Sequence, residues 1–296
     1  MSSYFQHTLA APARILGIGI HTGAEVSVTV KPSAPDTGIV FVRTDLPAGP
    51  QAITAVGESV CETRLGTVIG NAAGVTVSTI EHLMAVFSGL GVDNALVEID
   101  GPEAPILDGS SALFLAGVDA VGLRRQDAPR RHILILEPVE VSGPGKRAAL
   151  VPADRFEMAV EIVFDSAAIG RQTLELAVDE AAFRSELAEA RTFGFLSEVD
   201  QLRAAGLGRG ASLENTIVID QDGVLNPGGL QRPDEFVRHK ALDALGDLYL
   251  LGAPIIGRYE ASCSGHALNN ALVRALIARP EAWRYVTHAP ELAQAV

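Results

Sequence analysis

Apolar residues alternate early in the chain. Val26, Val28 and Val30 recur at every second position, and Ile39 to Val42 follow a stretch punctuated by Pro35 and Gly38, so Gln6 to about Asp45 reads as sheet. The period then lengthens. Thr79 to Leu90 has helical spacing and stops near Gly89 and Gly91, Ala95 to Ile99 returns to a strand, a loop runs from Gly101 to Gly109, and a second helix covers Ser111 to Val121. Arg124 to Arg131 is polar, contains Pro129 and has no apolar period, which places a domain boundary there. The order then recurs, with strands around Ile133 to Val141, Ala148 to Val151 and Met158 to Phe164. A helical stretch from Asp179 to Leu187, a helix from Asp234 to about Leu251 and a strand from Ile255 to Tyr259 follow. The pattern predicts an α+β chain of two similar domains, residues 1–125 and 130–296, each a β-sheet packed against helices.

Ile80-Glu81-His82-Leu83 and Val237-Arg238-His239-Lys240 each set a histidine near the start of an apolar helix that runs into a strand. An internal duplication accounts for this and brings two similar layers face to face, with both histidines and the active site at the seam; coincidence is the alternative.

Composition narrows the classes. With 296 residues, 48% of them hydrophobic and 20% charged, the chain can bury a sizeable core and is not disordered. A net charge of -13 argues against a nucleic-acid partner and requires local cations for any anionic substrate. Cys61 and Cys263 are too few for a disulfide framework or a Cys-rich zinc module; they fit a reducing compartment, or are simply small buried hydrophobes. The first twenty residues lack a basic segment followed by a clean apolar one, and no run approaches 18 apolar residues. The expectation is a soluble, cytoplasmic protein, which would receive a fatty chain in a groove or by peripheral membrane contact.

His239, Asp243 and Asp247 are spaced four residues apart along one side of a helix, with Leu242, Leu245 and Tyr249 on another. A histidine and a carboxylate one turn apart can hold Zn²⁺; the same spacing also makes a solvated charged face with pairs such as Asp234 and Arg238. His82 is a third candidate ligand. Its neighbour Glu81 is placed to take a proton from water at a metal, or else caps a helix beside a satisfied histidine. Ser264-Gly265-His266 offers a further histidine, in a loop where glycine admits close backbone approach.

These elements, in their order, closely resemble the UDP-3-O-acyl-N-acetylglucosamine deacetylases, the LpxC family. The likeness runs nearly end to end: GIGIHTG at 17–23, DTGIVFVRTDL at 36–46, STIEHLMAVFSGLGVDN at 78–94, PILDGS at 105–110, ARTFGFLSEVDQL at 190–202, EFVRHKALDALGDL at 235–248 and SGHALNN at 264–270. The resemblance implies a metal-dependent amidase that releases acetate from a UDP-linked, 3-O-acylated N-acetylglucosamine in lipid A biosynthesis. It implies that His82, His239 and Asp243 hold zinc, with iron(II) an alternative for the same donors, and that the bound water's pKa falls to about 7. Glu81 is then the general base. His266 stabilises the oxyanion and protonates the leaving amine, Asp247 holds His266, and Thr192 donates to the oxyanion; single-carboxylate and paired acid/base schemes both use these positions.

Lys240, beside a ligand position, can meet a sugar hydroxyl or phosphate oxygen. Phe193 can pack on the sugar. Phe164 matches a position that stacks on uracil in the family, and equally reads as a core residue. Apolar residues between Leu196 and Ile219, including Leu202, Leu207 and Ala211, either line an acyl passage or fill the core. The chain departs from the pattern after Phe164, at Gly66, where some members have cysteine, and at Cys263, where some carry a base; Arg258 can substitute for that cation. The rival functions are a zinc-dependent deacetylase of another acylated sugar nucleotide and a noncatalytic lipid or sugar-nucleotide binding protein. The latter has no use for Glu81 and His266 beside a metal.

Overall fold

Val26, Val28 and Val30 are buried on one face of the strand Glu25–Pro32, while the residues between them are partly open, the alternation that one-sided burial imposes. The computed structural model describes residues 4–287. There this strand is second in a sheet ordered Ala13–Ile18, Glu25–Pro32, Ala95–Ile99, Ile39–Arg43, Ala52–Thr54. The central strand Ala95–Ile99 is antiparallel to Glu25–Pro32 and parallel to Ile39–Arg43.

The C-terminal half has the same arrangement. Val139–Gly143 pairs with Lys146–Val151, the central Ile255–Ser262 is antiparallel to Lys146–Val151 and parallel to Phe156–Val163, and Arg171–Ala177 completes the order. His132–Ile135, flanked by Trp283–Val286, extends that sheet.

The helices among the described residues are α1 (Glu81–Leu90), α2 (Ala112–Val121), α3 (Glu180–Ala182), α4 (Val199–Ala204), α5 (Glu235–Leu248) and α6 (His266–Ile277). None is long and apolar enough to cross a membrane. α1 ends at Gly91 in the left-handed region, at φ 71°, where the absence of a Cβ removes the penalty. α5 lies against Phe156–Val163 and Arg171–Ala177, and α6 against Val139–Gly143 and Lys146–Val151.

α1 and α5 join the halves, and nearly every residue of both is buried. Their backbones meet at Gly246, where a Cβ would overlap the Glu81 carbonyl oxygen. Glycine permits the approach that brings His82 and His239 to one place.

The segment expected to hold the domain boundary contains an element that its polar pattern did not announce. Leu123–Pro129 is a strand, antiparallel to Phe5–Leu9. Its buried residues are Gln126 and Ala128, and Gln126 accepts from Asn94 Nδ2 at 2.8 Å and donates to the Ser33 carbonyl at 2.8 Å, so a satisfied polar side chain sits where a sequence pattern looks for an apolar one. Ile133 to Val141 divides into two strands around Pro138, and Asp179 to Leu187 is a short helix capped by the Asp179 carboxylate that continues as a π-turn over Phe183–Leu187. Arg171–Ala177 was not anticipated, nor was the unit formed by Phe193–Phe195, α4 and the parallel strand Ile217–Asp220.

Gly246→Ala is expected to destabilise the chain by about 1–3 kcal/mol in denaturant unfolding, with weaker metal retention, because the crossing must open to admit a methyl group. Unchanged stability would mean that the helices have room to spare.

Candidate metal and catalytic site

His82 occupies the first turn of α1, and His239 and Asp243 lie one turn apart on α5. All three are buried, at 3%, 2% and 2% exposure, and one donor atom from each lies within 4.8 Å of the others. Asp243 Oδ1 is 3.3 Å from His239 Nε2 and 3.6 Å from His82 Nε2, with the two rings nearly perpendicular. Donors about 2.0–2.1 Å from a common tetrahedral centre stand about 3.3 Å apart, close to the first of these separations.

The electrostatics also fit a cation. His239 Nδ1 donates to the Ala190 carbonyl at 3.0 Å, which leaves Nε2 unprotonated and facing a carboxylate oxygen. Burial drives His239 down to about pKa 3, against the pull of Asp243, so the ring stays neutral. Burial works to raise Asp243, but its polar and charged neighbours, the Lys240 ammonium among them, outweigh it and hold the carboxyl well below its usual range. Asp243 Oδ1 is buried without a hydrogen-bond donor. The lone pairs of His239 Nε2 and Asp243 Oδ1, 3.3 Å apart with no proton between them, fit a metal ion. The alternative of a solvated charged face does not hold for these residues, although the Asp234–Arg238 pair exists on the same helix at 2.8 Å.

Three further candidates adjoin this group. Glu81, 3% exposed, accepts the Thr67 N–H on Oε2 at 3.0 Å, and burial raises its pKa. Its Oε1 is 3.9 Å from His266 Nε2, which is also 3.9 Å from Asp243 Oδ2. Asp247 Oδ2 accepts from His266 Nδ1 at 2.9 Å. Burial opposes charge on His266, but Asp247 and Glu81 outweigh it and raise its pKa to about 9.

The remaining candidates form the rim. Thr192 is anchored through its backbone, donating to Gly109 and accepting from Ile217, each at 2.8 Å. Gly109 makes room for this, since a Cβ there would overlap the Asn215 carbonyl oxygen. Lys240 Nζ is 2.8 Å from Asp243 Oδ2 and lies over the Phe193 ring, 5.4 Å from its centroid. Burial lowers the Lys240 pKa, but Asp243 more than compensates, so its charge is committed to a candidate ligand. Phe193 packs edge-on against Phe164, Phe236 and His239. Phe164 is half-buried in this aromatic group. Leu202, Leu207 and Ala211 are half-buried, while Leu196 and Leu213 are exposed.

Sequence reading missed some of the supports. Arg191 forms a two-pronged ion pair with buried Glu235, fastening the ARTFGF segment to the start of α5; both residues stand inside quoted motifs, yet nothing local pairs them. Thr67 and Asn269, which contact Asp247, were also missed.

Nitrogen and oxygen donors arranged for a cation, beside a carboxylate able to take a proton from water, are the equipment of a metal-dependent hydrolase, and fold and site put the chain in that class. A family model of UDP-3-O-acyl N-acetylglycosamine deacetylase matches residues 6–278. Over 292 residues the chain is 64% identical to the UDP-3-O-acyl-N-acetylglucosamine deacetylase of Phenylobacterium zucineum (strain HLK1), covering 99% of this chain and 100% of that protein. Deacetylases of the same name from Myxococcus xanthus (strain DK1622) and Chromobacterium violaceum are 48% and 45% identical, over 96% and 95% of this chain and 90% and 93% of theirs. The chain belongs to this deacetylase family.

Elemental analysis is expected to find one divalent ion per chain, and His239→Ala or Asp243→Ala to reduce retention at least about tenfold. Chelation should lower the melting temperature, because an ion bound by the folded state stabilises it. Full metal content in both variants would place the ion elsewhere.

Proposed function

We propose that the chain hydrolyses the acetamide of a UDP-3-O-acyl-N-acetylglucosamine, giving the free amine and acetate in lipid A biosynthesis. The observation that carries this reading is the buried His82, His239 and Asp243 group with Glu81 and His266 beside it, in a chain 64% identical end to end to a protein named for that activity. The donor set favours zinc, with iron(II) the second choice. When bound, the ion polarises the amide carbonyl and lowers the pKa of its water ligand.

The chain's own residues handle the protons. Glu81 takes the proton from the attacking water, a role suited to a carboxylate whose pKa burial has raised. His266, charged at neutral pH, stabilises the oxyanion through Nε2 and delivers a proton to the departing nitrogen. Asp247 orients the ring at Nδ1, and the Thr192 hydroxyl adds a donor to the oxyanion. Lys240 and Phe193 bind the sugar end, Phe164 stacks on uracil, and the segment from Leu196 to Ile219 lines the acyl passage. In this reading Lys240 keeps its bond to Asp243 and offers the substrate a remaining N–H.

The reaction is placed in the cytoplasm, with peripheral membrane contact for an acylated substrate. The domains divide between about 125 and 130, and the strand order repeated on either side supports an ancestral duplication.

Mass spectrometry on metal-replete protein with UDP-3-O-acyl-N-acetylglucosamine is expected to find one acetate per amine formed, with Glu81→Ala slower by at least about a hundredfold. Folded, metal-loaded protein without turnover would sink the assignment. Ala211→Trp should raise KM for long acyl chains and leave short ones little changed; equal effects on both would remove this residue from the passage.

A further inference from the structure

We propose that Thr67 is a positioning residue for the reaction, its hydroxyl fixing the Asp247 and His266 pair of one half of the molecule while its backbone N–H holds the Glu81 carboxylate of the other. The inference rests on the roles proposed above for those three residues.

Thr67 lies immediately before the short strand Val68–Gly70 and is 1% exposed. Its backbone N–H donates to Glu81 Oε2 at 3.0 Å, and its hydroxyl donates to Asp247 Oδ1 at 2.5 Å. The same oxygen is 3.4 Å from His266 Nδ1. One residue therefore touches all three side chains assigned to proton handling. Its neighbour Gly66 leaves space for this, since a Cβ there would stand 3.1 Å from Glu81 Oε1.

Asp247 accepts bonds on both oxygens. Oδ2 takes His266 Nδ1 at 2.9 Å and Asn269 Nδ2 at 2.8 Å, while Oδ1 takes the Thr67 hydroxyl. Asn269 is itself fixed, because its Oδ1 accepts from Tyr259 at 2.7 Å and Ser264 at 2.6 Å and its amide group can point only one way. Carboxylate χ2 is a soft, roughly two-fold torsion, so a bond to Oδ1 is what stops Asp247 from turning about its Oδ2 contacts. A hydroxyl has one hydrogen. Thr67 gives it to the carboxylate and presents only lone pairs to His266, which keeps the proton on Nδ1 and directs Nε2 toward Glu81.

Removing the hydroxyl leaves a buried carboxylate oxygen unsatisfied and the imidazole less firmly aimed. The Glu81 contact survives, because it comes from the backbone. Thr67→Val keeps shape and β-branching, and isolates the effect.

The test is steady-state kinetics on metal-replete enzyme, with kcat expressed per bound metal. Thr67→Val is expected to lower kcat about ten- to a hundredfold with KM within about twofold, and Thr67→Ser to recover most of the loss. In a His266→Ala background, Thr67→Val should cost less than about a further twofold, because the hydroxyl acts through that ring. Wild-type kcat in Thr67→Val, or an equal loss in both backgrounds, overturns the proposal. Should Thr67→Val fail to fold, Thr67→Ser against Thr67→Ala carries the same contrast: a faster serine variant supports the role and equal rates refute it. If His266→Ala and Asp247→Asn themselves turn over at the wild-type rate, the proposed reading of the site falls. If they are impaired while Thr67→Val is not, only the role of Thr67 falls.

Discussion

Asp243 Oδ1 faces two imidazole nitrogens inside the protein without a hydrogen-bond donor, and much of the surrounding structure follows from making that tolerable. A buried carboxylate beside a neutral imidazole is costly unless positive charge lies between or beside them. Lys240 supplies part of that charge from the next turn, at Oδ2. The Ala190 carbonyl holds His239 with its free nitrogen toward the group, and Gly246 allows the two helices to come close enough for His82 to join. Each support comes from a different part of the chain. A shift of either helix would open the donor triangle before it unfolded the core.

The same crossing explains why the site lies between the halves. Each half presents a sheet of the same strand order, and the helix preceding its central strand runs into the seam. Glu81 and His82 arrive on α1, and His239, Asp243 and Asp247 on α5, while His266 opens α6. Contacts such as Thr67 with Asp247 and Ser111 with the His82 carbonyl then fix these elements by side-chain hydrogen bonds. Helix packing sets positions to within a side chain's reach, and the polar bonds set angles.

Much of this was legible in the sequence, for reasons that differ from residue to residue. The alternation at Val26, Val28 and Val30 and the helical period of α1 and α5 reflect one-sided or nearly complete burial, which hydrophobicity records directly. Spacing on α5 placed His239 and Asp243 together and His82 stood as a third candidate, but whether that face met solvent was left open, because burial depends on α1, far earlier in the chain; family likeness then joined the three as one ligand set. Gln126 hid a strand because its partners, Asn94 and Ser33, are distant in the chain. Thr67 had no local signal at all. Its importance comes from a backbone amide and a hydroxyl reaching residues 14 and 180 positions away.

Charge balance gives the arrangement its direction. Glu81, Asp243 and Asp247 bring three carboxylates into the seam, whereas Lys240 and a protonated His266 bring two cations; His239 is held neutral. One negative charge is left over, in a chain whose net charge is already -13. A divalent ion among His82, His239 and Asp243 would reverse that sign and make the seam locally positive. In a low-dielectric site such a reversal outweighs charges scattered over the solvated surface, which water and salt screen. An acidic protein can thus receive an anionic, oxyanion-forming substrate. The carboxylates whose own charge disfavours anions there, Asp243 and Asp247, are the groups placed to hold such an ion and to orient the His266 imidazole.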